Sequence, residues 1–172
     1  MTLDVEKWPD SVKLRKVCAP ATKLTDTNKI IQDLFDTMYE EGGIGISANQ
    51  VGYNARIFVT HIKEPKVHIN PEIIEGAGMY KEKEGCLSIP GYFDYVKRKK
   101  DILVKYYDKE WNEKTERLVD LEATCFQHEL DHLNGILFVD HISPLKLPKA
   151  KKKVKSWSRK ASKFSESRHS VI

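Results

Sequence analysis

Cysteine is scarce: Cys18, Cys86 and Cys125 are the only three in 172 residues. An odd, sparse set excludes a disulfide scaffold and points to a reducing compartment, where a thiol is free to act as a ligand. No run of about 18 apolar residues occurs, which excludes a membrane-crossing helix. The opening residues Met1 to Lys7 have neither the basic start and apolar stretch of an export signal nor the Arg/Ser-rich, acid-poor start of a transit peptide. A cytoplasmic location is the expectation. No internal repeat and no linker divides the chain.

Acidic residues nearly vanish at one end. Residues 144–172 hold ten Lys/Arg against a single acid, Glu166, while the rest holds 19 Lys/Arg and 24 Asp/Glu. A mildly acidic body with a basic tail reads as a catalytic or binding domain carrying an electrostatic foothold for a polyanion. The alternative is a solvated charged helix face. At 19.8 kDa, 40% hydrophobic and 31% charged, the chain is one domain's worth of sequence with enough apolar residues for a core.

Hydrophobic spacing predicts a helix over 25–41 through Ile30, Ile31, Leu34, Phe35 and Met38, capped at Thr25 or Asp26 and stopped by Gly42-Gly43. Residues 44–50 read as a short extended segment. Strands are expected at 56–60 and 67–70, the second ended by Pro71, and residues 92–119 read as a hairpin interrupted at Asp108 to Glu113. A second helix spans 121–133 and closes at Asn134-Gly135, and 136–139 reads as a strand. A basic amphipathic helix begins near Pro148 and carries Val154 and Trp157, with residues from about Ser165 frayed. The fold class is α+β: one compact domain whose antiparallel or mixed sheets pack around a central helix, followed by a basic C-terminal helix. The expected division is a catalytic domain over 1–148 and a basic helix with tail over 149–172.

That central helix carries His128-Glu129-Leu130-Asp131-His132. Positions i and i+4 share a helix face, so both imidazoles can close on one metal, with Glu129 within reach of a water beside it. A short HExxH pattern also occurs by chance. A catalytic site of this kind usually takes a third protein ligand and keeps one position open. A downstream histidine fails, because the required place is Phe138. A downstream glutamate fails too, because only Glu166 follows, in the tail. Cys125 shares the face but lies about 7 Å along the axis from the metal, too far for its short side chain; it is expected in the pocket wall. Cys86, between Gly85 and Pro90, is the remaining candidate. Its other reading is an ordinary buried cysteine, the reading given to Cys18.

Three separated segments resemble the peptide deformylase family in its order: Gly43-Ile44-Gly45-Ile46-Ser47-Ala48-Asn49-Gln50, then Glu84-Gly85-Cys86-Leu87-Ser88, then His128 to His132 extended by Leu133-Asn134-Gly135. The resemblance runs from about residue 8 to residue 148. It implies a metal-dependent hydrolase that removes the N-formyl group, as formate, from formylmethionyl peptides. Cys86, His128 and His132 would hold the metal, and Glu129 would act as general acid and base. The Gln50 amide and the Leu87 N–H would hold the oxyanion. One thiolate and two imidazoles suit zinc or ferrous iron; the resemblance implies Fe²⁺, with Zn²⁺, Ni²⁺ or Co²⁺ as substitutes.

Gly43, Ile44, Gly45, Glu84, Leu121, Thr124 and Cys125 are the expected substrate pocket. Arg98 is implied as the ion partner of Glu84 behind the site; both residues also read as plain surface charge. Ile46-Ser47 stands where Leu-Ala is common, and Glu82 is a polar residue for a pocket rim. The basic helix is implied to dock on the ribosome. No membrane partner and no sequence-specific nucleic acid is expected. Two other readings compete: a metallopeptidase sharing HExxH, and a non-enzymatic ribosome-associated module with a structural metal. Structural sites close with four protein ligands, and three credible ones favour catalysis.

Overall fold

A computed structural model describes residues 1–160; the expected frayed tail from Ser165 lies outside the described residues. Helix α1 (Thr27–Glu40) starts where Asp26 accepts a hydrogen bond from Lys29 N, so Asp26 rather than Thr25 is the cap. Its apolar stripe, Ile30, Ile31, Leu34 and Met38, is buried against Ile46, Ile57, Val59 and Ile69 of the sheet.

The sheet has five antiparallel strands in sequence order: β1 (Gly45–Ser47), β2 (Ile57–His61), β3 (Pro65–Cys86), β4 (Ile89–Tyr107) and β5 (Glu113–Val119). Residues 44–50 are only partly extended, because Ala48–Val51 wind into a 3₁₀ turn. Pro71 does not end its strand. The β3–β4 register slips between Ile69 and Glu72, and Asn70 takes a left-handed φ of 51°, so the proline sits in a bulge where no ladder N–H is demanded. Beyond Ile69, β3 pairs with β4 alone, and its other edge has no strand neighbour among the described residues. The β4–β5 turn falls at the polar interruption, where the Asp108 carboxylate accepts from the Glu110 and Asn112 N–H groups.

Helix α2 (Asp120–Leu133) packs across the sheet and ends at Gly135, whose φ is +72°. A Cβ there would lie 2.5 Å from the Arg15 carbonyl oxygen, so the position needs glycine for its conformation and for its space. The expected strand at 136–139 is instead a turn leading into a 3₁₀ helix (Phe138–His141). A four-residue apolar run carries no period to decide its structure. Asp140 decides it, accepting from Leu137 N at 2.9 Å while Arg15 holds its carboxylate. Helix α3 (Leu147–Lys160) buries Ala150 and Val154 beside Tyr92, Val96 and Phe138, and leaves its lysines exposed. No described helix is long and apolar enough to cross a membrane.

Candidate metal centre

Cys86 is the last residue of β3. It pairs with Ile89 across the two-residue turn Leu87-Ser88, so a hairpin tip presents its thiol. From α2, His128 and His132 point at the same spot. Cys86 Sγ lies 3.2 Å from His132 Nε2, which lies 3.2 Å from His128 Nε2, and the three donors fall within 4.8 Å of one another. Two imidazoles on one tetrahedral ion at about 2.0–2.1 Å have nitrogens about 3.3 Å apart, so the separation fits. All three side chains are buried. Burial works to lower His128, but the hydrogen bonds to Cys86 and Glu84 outweigh it and lift that imidazole to about 10. Burial and the charge of His128 push its neighbour His132 the other way, well below the usual histidine range. Cys125 is not among the converging donors, and Cys18 sits in a separate apolar cluster.

Glu129 is fully buried. One carboxylate oxygen, Oε2, accepts from the Ser47 hydroxyl, while Oε1 has no partner among the described residues. Burial pushes the group up to about 7, against the pull of His128 and Ser47. A carboxyl that titrates near neutrality suits proton transfer in either direction. Gly45 makes room for it: a Cβ there would lie 2.8 Å from Glu129 Oε1 and 2.9 Å from Cys125 Sγ.

Gln50 stands on the other side of the thiol. Its Oε1 accepts from Ser47 N at 2.9 Å, which aims Nε2 towards Ser88 Oγ at 3.0 Å and Cys86 Sγ at 3.7 Å. Leu87 is buried in the turn beside it. The N-terminal segment clamps both elements, with Glu6 N donating to Gln50 O at 2.7 Å and Trp8 N to Ser88 O at 2.9 Å.

Behind His128 lies a buried charge chain. Glu84 Oε1 is 2.8 Å from His128 Nδ1, so the carboxylate holds a proton on that nitrogen, and a metal at Nε2 would take the place of the imidazole's second proton. Arg98 grips Glu84 through Nε at 2.8 Å and Nη2 at 2.9 Å, and reaches Asp131 through Nη1 at 2.6 Å. Burial alone would raise Glu84; Arg98 and His128 overcome it and hold the group at about 2.

Of the expected pocket residues, Gly45, Thr124 and Cys125 are buried and Gly43 and Ile44 half-buried, while Leu121 is 44% exposed. Glu84 lies behind the histidine. Reading the sequence missed Ser47 and Asp131, although both stand inside quoted motifs, and missed Tyr80, whose hydroxyl lies 2.6 Å from Thr124 Oγ1. Phe138, set aside as a failed ligand position, stacks on His128 with centroids 6.2 Å apart.

A family model described as polypeptide deformylase matches residues 2–148. Peptide deformylase 1 of Shewanella oneidensis is 42% identical over 166 residues, covering 94% of this chain and 98% of that protein. A peptide deformylase of Hydrogenovibrio crunogenus is 45% identical over 158 residues, covering 89% and 93%. The crystal structure of a peptide deformylase from Legionella pneumophila superposes with a TM-score of 0.90 at 37% identity, covering 96% of this chain and all of that one.

Proposed function

The chain belongs to the polypeptide deformylase family, and from that premise we propose which residues carry the reaction and which metal they hold. The protein is a hydrolase that removes the N-formyl group from nascent peptides. Cys86, His128 and His132 would hold a ferrous ion. The donor set suits Fe²⁺ or Zn²⁺ alike, and iron follows from the family, with zinc, nickel or cobalt able to replace it. A divalent ion on these donors supplies Lewis acidity to water and to the formyl carbonyl.

Glu129 accepts the proton of the attacking water at Oε1, the oxygen without a partner, while Ser47 steadies Oε2. As the C–N bond breaks, the same oxygen delivers that proton to the amine, so formate and a free amino group leave together. The Gln50 amide and the Leu87 N–H hold the oxyanion formed at the carbonyl. Glu84 and Arg98 keep His128 in its ligating tautomer. Thr124, Cys125, Leu121, Gly43, Ile44 and Gly45 receive the methionine side chain. The observation carrying this reading is the meeting of one sulfur and two Nε2 atoms beside an unpartnered buried carboxylate oxygen.

The test is formate release from formyl-Met-Ala under anaerobic conditions, with metal measured on the same sample. About one iron per chain and activity lost in air are expected; fully active, air-stable zinc protein would overturn the iron assignment. Gln50→Ala should lower kcat by about 10²–10³, as loss of one oxyanion donor does, with metal content unchanged. Equal kcat would remove Gln50 from the mechanism.

Helix α3 and the basic residues after it form the foothold of a cytoplasmic enzyme on the ribosome, a division of labour between residues 1–148 and 149–172. Lys151, Lys152 and Lys155 are exposed along the helix. Phosphate contacts weaken steeply with salt, so co-sedimentation with ribosomes should fall as salt rises and disappear when these three become glutamate. Undiminished co-sedimentation of that variant would overturn the docking role.

A further inference from the structure

Strand β3 and helix α2 face each other across the centre in paired contacts. Glu84 reaches His128, and Tyr80, four residues earlier on the strand, places its hydroxyl 2.6 Å from Thr124 Oγ1. Thr124 stands four residues before His128, one turn from that ligand on the same helix face. Strand side chains alternate, so Tyr80, Glu82 and Glu84 share the face towards α2. The register agrees, since Tyr80 lies opposite Arg98, which itself touches α2 at Asp131.

From residue 80 to 84 the strand advances about 13 Å, while the helix from 124 to 128 advances about 6 Å. Glu82, midway on the strand, is exposed, while the phenol of Tyr80 reaches Thr124, which is 1% exposed.

A side chain that lies along α2 from the centre can run towards either end of the helix. Towards the C-terminal end the space is taken: Asn49 Nδ2 bonds His132 O at 2.6 Å, and Gly135 lies against the Arg15 backbone. Towards the N-terminal end lie Cys125, Thr124 and then Tyr80.

We infer that Tyr80 is a specificity-determining residue, its ring forming the end wall of the slot that takes the side chain beside the scissile formamide. The inference rests on the deformylase reading and on the placing of Thr124 and Cys125 in that slot. It adds an end stop from β3. The bond to Thr124 turns both hydroxyls on each other, so the surface left for the substrate is aromatic carbon, a good neighbour for a thioether. The slot then fits an unbranched side chain of methionine length and stops a longer or broader one.

The test compares kcat/KM of the full-length, metal-loaded enzyme on formyl-Met-Ala, formyl-norleucyl-Ala and formyl-Phe-Ala. In Tyr80→Ala the ratio of formyl-Phe to formyl-Met should rise about tenfold or more, a size within what pocket shape controls. Tyr80→Phe, which keeps the ring, should leave the ratio within about twofold. A common factor on all three substrates would mean that Tyr80 only supports the fold, and would overturn the inference. If Tyr80→Ala does not fold, Thr124→Ala, which shortens the facing wall, must move the same ratio upwards; an unmoved ratio overturns the inference. Failure of the metal-loaded wild type to release formate from any of the three would sink the deformylase reading itself, and this inference with it.

Discussion

Glu129→Ala should abolish measurable formate release while the protein stays folded and keeps its metal. General acid–base catalysis by a placed group contributes about 10²–10⁴ in rate, and Glu129 is assigned both proton transfers. The three donors do not include it, and their convergence is fixed by the hairpin tip and by α2 rather than by the carboxylate. Stability should hold or rise, because burial works against the Glu129 carboxylate and lifts the group to about 7. The pH profile supplies a second readout. Burial lifts Glu129 to about 7 and a cation beside it draws that value down. The base form is therefore lost as pH falls, and wild-type kcat/KM should show an acid limb below neutrality. Retention of more than a tenth of kcat in Glu129→Ala would remove the residue from the proton path.

Arg98→Met should produce the largest loss of stability. It takes the guanidinium from a carboxylate whose side chain is wholly buried, and breaking a buried pair on one side costs about 3–5 kcal/mol. The sign with pH is definite. Glu84 is held at about 2 against an ordinary 4.5, so its contribution is complete above about pH 4.5 and is lost as pH falls towards 2. The stability gap between wild type and variant should therefore narrow over that interval. The variant also frees Glu84 from its anchor, and loss of such support behind a ligand typically costs about 10–100-fold in metal affinity. Denaturant midpoints across pH and chelator competition measure the two effects. A loss below about 1 kcal/mol, within the range of a surface ion pair, would show that Arg98 is not an anchor.

Arg98 also marks where sequence reading runs short. In Lys97-Arg98-Lys99-Lys100 it looks like solvated charge, yet Val96 and Arg98 face inwards while Lys97 and Lys99 face out. Strand alternation is visible in a sequence only when burial follows hydrophobicity, and here a charge occupies a buried place. The HExxH helix was legible because its spacing, its end at Gly135 and the elimination of other ligands agreed with one another. Cys86 followed from the elimination of other ligands together with its Gly85 and Pro90 flanks and the family-like segment Glu84 to Ser88. The length of β3 was hidden by Pro71 and by Gly76 and Gly78, residues that usually mark turns but here sit within a bulged, twisted ribbon. Ser47 and Tyr80 were out of reach for a different reason. Their partners, Glu129 and Thr124, lie 82 and 44 residues away, and no local pattern encodes such a contact.

An enzyme of this kind spends its working life among polypeptides that have not folded, each able to adopt an extended conformation. The margin of β3 that has no strand neighbour among the described residues is where such a chain could add itself as a sixth strand. Glu72, Glu75, Lys81, Glu82 and Lys83 line that stretch beside the exposed Ile73, Ile74 and Met79, two slips of register bend it, and Gly78 turns it through a φ of +67°. A passing segment meets charge and curvature in place of a straight row of hydrogen-bonding groups. On this ribbon it is charge and bends, rather than a lack of apolar side chains, that oppose pairing with an unfinished chain.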